Sequence, residues 1–119
     1  MRTLAILLVL FTYTFSSAQT QIENQKNDKQ ILKQLAIEKT LELQKELNLT
    51  IQTSKILEKN IFKYSLKANK ILQSNLSTTE KSKSISNLIY FQNEELKEIF
   101  NVTQFYKYLS LQNTYVAGF

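Results

Sequence analysis

Apolar residues recur along the chain at helical spacing, and small polar residues divide that pattern into four segments. In the first, Ile31, Leu32, Leu35, Ala36, Leu43 and Leu47 fall within an arc of about 160° at 100° per residue. This predicts a helix capped by Asn27 or Asp28 and running to Leu47. Ile37 and Leu41 lie outside the arc, so the helix is expected to touch neighbours on two sides. A second helix is predicted from Ile51 to Asn75 with Thr50 as N-cap, its core stripe made of Leu57, Ile61, Tyr64, Ala68, Ile71 and Leu72.

Ser77 and Glu80 then form the S-x-x-E pattern of a capping box, in which the Ser77 hydroxyl accepts from the Glu80 amide and the Glu80 carboxylate from that of Ser77. The third helix carries Ile85, Leu88, Ile89, Leu96, Ile99 and Phe100. A fourth opens with Asn101 as cap and Gln104 closing a second box, while Phe100 and Phe105 take the two places of a hydrophobic staple. Tyr106, Leu109 and Leu111 continue it. Aromatic residues concentrate from Tyr90 onward, so the junction of the third and fourth helices is expected to hold the densest core. The expected fold is all-α over residues 28–115: three long helices and one shorter helix in antiparallel hairpins. The polar stretch Gln19–Asn27 that precedes it is expected to be disordered.

Composition sharpens this picture by exclusion. A β-rich fold needs glycine and proline in its turns, and these 119 residues hold one glycine and no proline. Without cysteine or histidine there is no thiol nucleophile, no disulfide and no zinc, haem or iron–sulfur site of the usual kind. The commonest general acid–base residue near neutral pH is missing as well, so no catalytic residue, metal site or cofactor is expected. The acids are scattered. Glu94 and Glu95 are adjacent and face different directions, and Glu94 and Glu98, one turn apart, are expected to be solvated.

Met1–Ala18 has the layout of a secretory signal peptide: Arg2, the apolar run Leu4–Phe11, then Ser16-Ser17-Ala18 before a cut at Gln19. The apolar run is too short to span a bilayer, so no transmembrane span is expected in the mature chain. Secretion without disulfides at this size points to the bacterial periplasm. Every basic residue other than Arg2 is a lysine, and the formal net charge of +5 falls by one with the leader. The sequons at Asn48, Asn75 and Asn101 are glycan acceptors in a eukaryotic pathway, but all three stand where helices start, which accounts for their residue types.

Leu49-Thr50-Ile51-Gln52-Thr53 and Phe100-Asn101-Val102-Thr103-Gln104 resemble two altered copies of the paired LTxxQ motif of the Spy/CpxP-type periplasmic proteins. The order of signal peptide, motif, lysine-rich helix, capped third helix and second motif is similar too, and the likeness extends from about Leu47 to Gln112. Thr53 stands where the family has glutamine, so the first cap is expected to rest on Thr50 alone. Asn101 and Phe100 replace threonine and leucine in the second copy and keep their capping roles. The resemblance implies an all-α, ATP-independent periplasmic chaperone or envelope-stress adaptor, commonly a dimer of bent hairpins forming a cradle.

One surface stands out as a candidate for such work. Lys55, Lys59, Lys63, Lys67 and Lys70 share an arc of about 120° on the second helix, roughly 150° from its core stripe. A lysine stripe opposite a core is ordinarily a solvated face. Here Phe62 and Leu66, one turn apart, project beside the lysines rather than with the core, and Ile56 lies among them. Attraction to acidic, partly unfolded envelope proteins, followed by weak apolar contact, would make this a client-binding face. The alternatives are a structural or regulatory module holding one envelope partner, and a homodimer seamed by Phe62 and Leu66. Nucleic acid is not an expected partner, because the mature chain has no arginine and is secreted.

Overall fold

The computed structural model describes residues 25–117, with side chains over residues 28–112. The expected signal peptide, Met1–Ala18, and residues 19–24 lie outside the described residues. Four helices follow in order: α1 (Gln25–Leu47), α2 (Ile51–Gln73), α3 (Thr78–Ile99) and α4 (Val102–Ala117). The all-α expectation holds, with three helices of 22 or 23 residues and one of 16. No described helix is long and apolar enough to cross a membrane.

The helix boundaries follow local chemistry. Thr50 caps α2, its Oγ1 accepting from the Thr53 amide at 3.1 Å. Thr53 nonetheless contributes more than expected, because its own Oγ1 accepts the Thr50 hydroxyl proton at 2.9 Å. The capping box at Ser77 and Glu80 is complete, with both bonds at 3.2 Å. Asn101 and Gln104 form the second box at 2.8 and 3.0 Å. Phe100 and Phe105 enter one cluster, bridged by Tyr108, whose ring centroid lies 5.7 Å from Phe100 and 6.4 Å from Phe105.

Two boundaries differ from expectation. α1 begins at Gln25, before the expected cap, so residues 25–27 are helical where the segment Gln19–Asn27 is expected to be disordered. Asp28 sits inside the first turn, where a negative charge suits the positive end of the helix dipole. α2 stops at Gln73 because Ser74 turns extended and takes the end of the helix, its amide and hydroxyl both donating to the Ile71 carbonyl, at 3.1 and 2.6 Å.

The α1–α2 turn depends on one backbone position. Asn48 adopts φ 55°, the left-handed region that glycine and asparagine tolerate best, and the Leu49 amide then reaches back to the Gln44 carbonyl at 3.0 Å. This folds Leu49 under the bundle beside Leu43. The apolar contact across the helix end is the usual companion of that hydrogen-bond pattern.

Short connections make sequential helices antiparallel, so residues from opposite ends of neighbouring helices meet. One core cluster holds Leu43 and Leu47 of α1, Leu57 of α2, Leu96 and Phe100 of the α3 end, and Tyr108 of α4. The other holds Leu32, Ala68, Ile85 and Ile89, with Phe62, Leu66, Ile71, Leu72 and Leu88 packed against it. Between the two clusters lies a polar layer of Thr40, Asn60 and Gln92, all buried. The Gln92 amide donates to Asn60 Oδ1 at 3.2 Å, across the α2–α3 seam.

The apolar stripes of α1 and α3 each take one step of seven positions, from Ala36 to Leu43 and from Ile89 to Leu96. Helical geometry must seat something at the vacant position, and Thr40 and Gln92 are what it seats. Expected core residues Ile31, Leu35, Ile61, Ile71, Leu72, Leu88 and Ile99 are half-buried; α1 touches two neighbours, α2 and α4, with Ile37 half-buried and Leu41 60% exposed. The aromatic concentration near the α3–α4 junction divides: Phe100, Phe105 and Tyr108 pack inward, whereas Tyr90, Phe91 and Tyr106 face solvent.

Candidate functional site

α2 lies between α1 and α3, and that position decides what its side chains can do. All five stripe lysines, Lys55, Lys59, Lys63, Lys67 and Lys70, are exposed. Phe62 and Leu66 do not stand clear of the core as expected. They are half-buried against the Leu32–Ala68–Ile85–Ile89 cluster, because a helix packed on two sides buries a wider apolar arc than its central stripe. Their outer surfaces line a shallow groove of about 390 Å³ together with Lys59, Lys63, Lys67 and Lys70. Lys55 lies outside this groove, and Ile56 is half exposed nearby on the same helix.

Two of the lysines are held in place. Lys63 Nζ lies 2.7 Å from Glu95 Oε1 of α3 and 4.9 Å from the centroid of the Tyr64 ring. Lys67 Nζ lies 5.5 Å from the same ring. A cation over an aromatic face is attracted by the ring quadrupole, so Tyr64 organises the basic stripe from beneath.

Glu95 is thus not simply solvated. Its Oε1 also accepts from Asn60 Nδ2 at 3.3 Å, its Oε2 accepts the Tyr64 hydroxyl, and Asn60 passes the network on to Gln92. The hydrogen bond from Lys63, and after it that from Tyr64, holds the Glu95 carboxyl below its ordinary pKa. Burial, then the bond to Glu95 and its negative charge, push the Tyr64 hydroxyl up to about 12. Tyr108, deep in the other cluster, is raised by burial alone.

A second groove of about 390 Å³ adjoins the first. It runs along α3, lined by Leu88, Phe91, Glu94, Glu95 and Glu98, and takes Tyr64 and Lys67 from α2 as its near wall. Glu94 pairs with Lys97 at 2.6 Å, a contact that raises the lysine's pKa. Among the described residues no ion pair within 4.0 Å engages Glu98, Lys59 or Lys70. Basic and acidic grooves therefore lie side by side and share Lys67.

The capping residues serve a different end of the molecule. Leu49 and Phe100, which lead the two LTxxQ-like segments, meet in one cluster, and Gln104 Nε2 reaches the Leu47 carbonyl at 3.4 Å. These two capping segments thereby tie the α1–α2 and α3–α4 turns together and do not join the basic groove. Among the described residues no group of three or more His, Cys, Asp or Glu side chains is placed to hold a metal ion. Sequence reasoning missed the Glu95 network and the acidic groove; the one-turn spacing of Glu94 and Glu98 was their only sequence trace. Comparison of the chain with family models, with curated proteins and with solved structures gives no match.

Proposed function

We propose that this protein is a non-catalytic, ATP-independent binding protein of the periplasm that holds partly unfolded envelope proteins on the α2 face. The observation that carries the reading is the groove in which Lys59, Lys63, Lys67 and Lys70 surround the outer surfaces of Phe62 and Leu66. Long-range attraction raises the encounter rate with acidic segments, and a shallow apolar floor offers weak, non-directional contact. Lysine suits loose binding, since its flexible ammonium lacks the rigid bidentate fork of arginine. The likeness of the two capping segments to the LTxxQ motif of Spy/CpxP-type proteins points the same way.

The test is protection of a reduced or chemically unfolded client from aggregation at low salt. Serine at Phe62 and Leu66 would disturb the core as well as the groove, so the informative variant is Lys59→Gln with Lys67→Gln and Lys70→Gln. Protection should fall in that variant and should weaken with salt in the wild type. Absence of protection by the wild type, or full protection by the variant, would sink the proposal.

A second reading, an interaction module with one envelope partner, is favoured by the fixed positions of Lys63 and Lys67 over Tyr64. A single stoichiometric protein recovered from periplasm would support it over a broad client set.

A further inference from the structure

The polar layer of Thr40, Asn60 and Gln92 also divides the charge of the bundle. On the side that leads to the α2–α3 turn, the described side chains include eight lysines against three acids, Asp28, Glu38 and Glu80. On the other side five lysines stand against six acids. One end is strongly basic and the other is slightly acidic.

Within the basic end, Lys39 pairs with Glu42 and Lys63 with Glu95. Among the described residues no ion pair within 4.0 Å engages the other six: Lys29, Lys33, Lys67, Lys70, Lys81 and Lys83. Lys81 is half-buried, its Nζ donating to the Leu72 carbonyl at 2.8 Å, and the remaining five are exposed. The six come from three helices. α1 and α3 start at this end and only α2 finishes there, so the helix dipoles add to the positive potential. At 1.5 Å per residue each lysine stands no more than about 12 Å from the end of its helix, comparable to the Debye length at physiological salt. At the tip, the α2–α3 turn leaves Leu76 40% exposed among Ser74, Asn75, Ser77 and Thr78.

We propose that this end of the bundle docks on a bilayer surface rich in anionic phospholipid, with the helices standing up from the membrane and Leu76 entering the headgroup layer. A bound peptide runs along a groove and meets one or two helices. Lysines that ring the end of a bundle on three helices are met together only by a plane of negative charge. Lysine suits that plane, since its apolar stem lies against the lipid while the ammonium stays among the phosphates. The α2 groove then runs from Lys70, near the lipid, to Lys59, away from it.

Co-sedimentation with vesicles tests the contact without any client. The chain starting at Gln19 is used, because the apolar run Leu4–Phe11 would bind lipid by itself. It should pellet with vesicles of equal parts phosphatidylglycerol and phosphatidylcholine, and not with phosphatidylcholine alone. Partitioning should fall at least about tenfold between about 50 and about 300 mM salt. Lys29→Gln with Lys33→Gln and Lys83→Gln should lower it by about 10- to 100-fold, at up to about fivefold per lysine. Lys45→Gln with Lys55→Gln and Lys107→Gln, the same loss of charge at the other end, should lower it by less than about threefold. Leu76→Ser should lower it by about three- to tenfold. Failure to bind the phosphatidylglycerol vesicles, equal losses in the two triple variants, or an unchanged Leu76→Ser variant would overturn the proposal. Release from the vesicles by polyglutamate at matched charge would overturn it too, assigning this end to a soluble acidic partner. Lys29, Lys33 and Lys83 lie outside the α2 groove and the protection assay contains no lipid, so client binding and lipid docking stand or fall separately.

Discussion

Replacing Glu95 with alanine removes the acceptor on which Asn60, Lys63 and Tyr64 converge from α2. The three losses differ in size. Tyr64 is only 5% exposed, so its hydroxyl loses its partner where water replaces it poorly, at a cost of about 1–3 kcal/mol. Lys63 and Glu95 have side chains 46% and 41% exposed, and an ion pair this open contributes at most about 1 kcal/mol. Asn60 keeps its contact with Gln92 and loses little. The expected total is about 2–3 kcal/mol, dominated by the tyrosine. For a domain of about this size it corresponds to a fall in Tm of roughly 8–24 °C. Thermal and urea unfolding followed by far-ultraviolet circular dichroism would measure it. A double-mutant cycle with Tyr64→Phe isolates the pair, and its coupling energy should reach about 1 kcal/mol or more. If Glu95→Ala lies within about 0.5 kcal/mol of the wild type, or if the two substitutions are additive, the network does not hold α2 to α3 as described.

Glu95, through its hydrogen bonds, and Tyr64, chiefly through its burial, make stability depend on pH at both extremes. The lowered Glu95 pKa stabilises the fold above the unfolded carboxyl value, and that contribution is lost as pH falls through the folded value. The raised Tyr64 pKa works in the opposite sense: its contribution is intact below about 10 and lost as pH rises toward about 12. Urea midpoints across pH should show both declines, and Glu95→Gln should abolish the acid limb assigned to this residue. At the α1–α2 turn, Asn48→Gly should be neutral or stabilise by up to about 1 kcal/mol, whereas Asn48→Val should cost about 1–2 kcal/mol; equal midpoints would mean the left-handed backbone is not required. In the mid-bundle layer, Gln92→Leu alone should destabilise by about 1–3 kcal/mol by stripping a donor from buried Asn60. Gln92→Leu with Asn60→Leu should recover that loss or exceed the wild type, and a double variant worse than the single would contradict the assignment.

What the sequence made legible was mostly local. Thr50, Ser77 and Asn101 announce helix starts because a cap bonds within three residues, and no distant partner can alter that. Leu57, Tyr64, Ala68, Ile85 and Leu96 were identifiable as core because they lie at the centre of their stripes. Residues at the edges of a stripe were harder. Phe62 and Leu66 sit where exposure depends on whether a helix has one neighbour or two, and periodicity alone does not count neighbours. The Glu95 network joins residues 31 to 35 positions apart, so its existence depends on how α2 and α3 are rotated against each other. Thr40 and Gln92 were readable in principle, as the occupants of two steps of seven positions, but their polarity disguised them as surface. The candidate site shows the same division: its lysines follow from spacing, while its floor and its acidic neighbour are products of tertiary packing.

The polar layer separates two apolar clusters that sit in series along the bundle. Cooperativity between the ends therefore passes through a few side-chain hydrogen bonds and the continuous helical backbones, not through an unbroken hydrophobic core. The end built on Leu32, Ala68, Ile85 and Ile89 has the smaller apolar interior, and it adjoins the exposed 75–80 turn. Partial opening there leaves the cluster around Leu57 and Leu96 intact, so amide protons near the α2–α3 turn exchange through local excursions, whereas those around Leu57 and Leu96 wait for global unfolding. The groove floor, Phe62 and Leu66, belongs to this end, so it should exchange conformations before the Leu57–Leu96 end does.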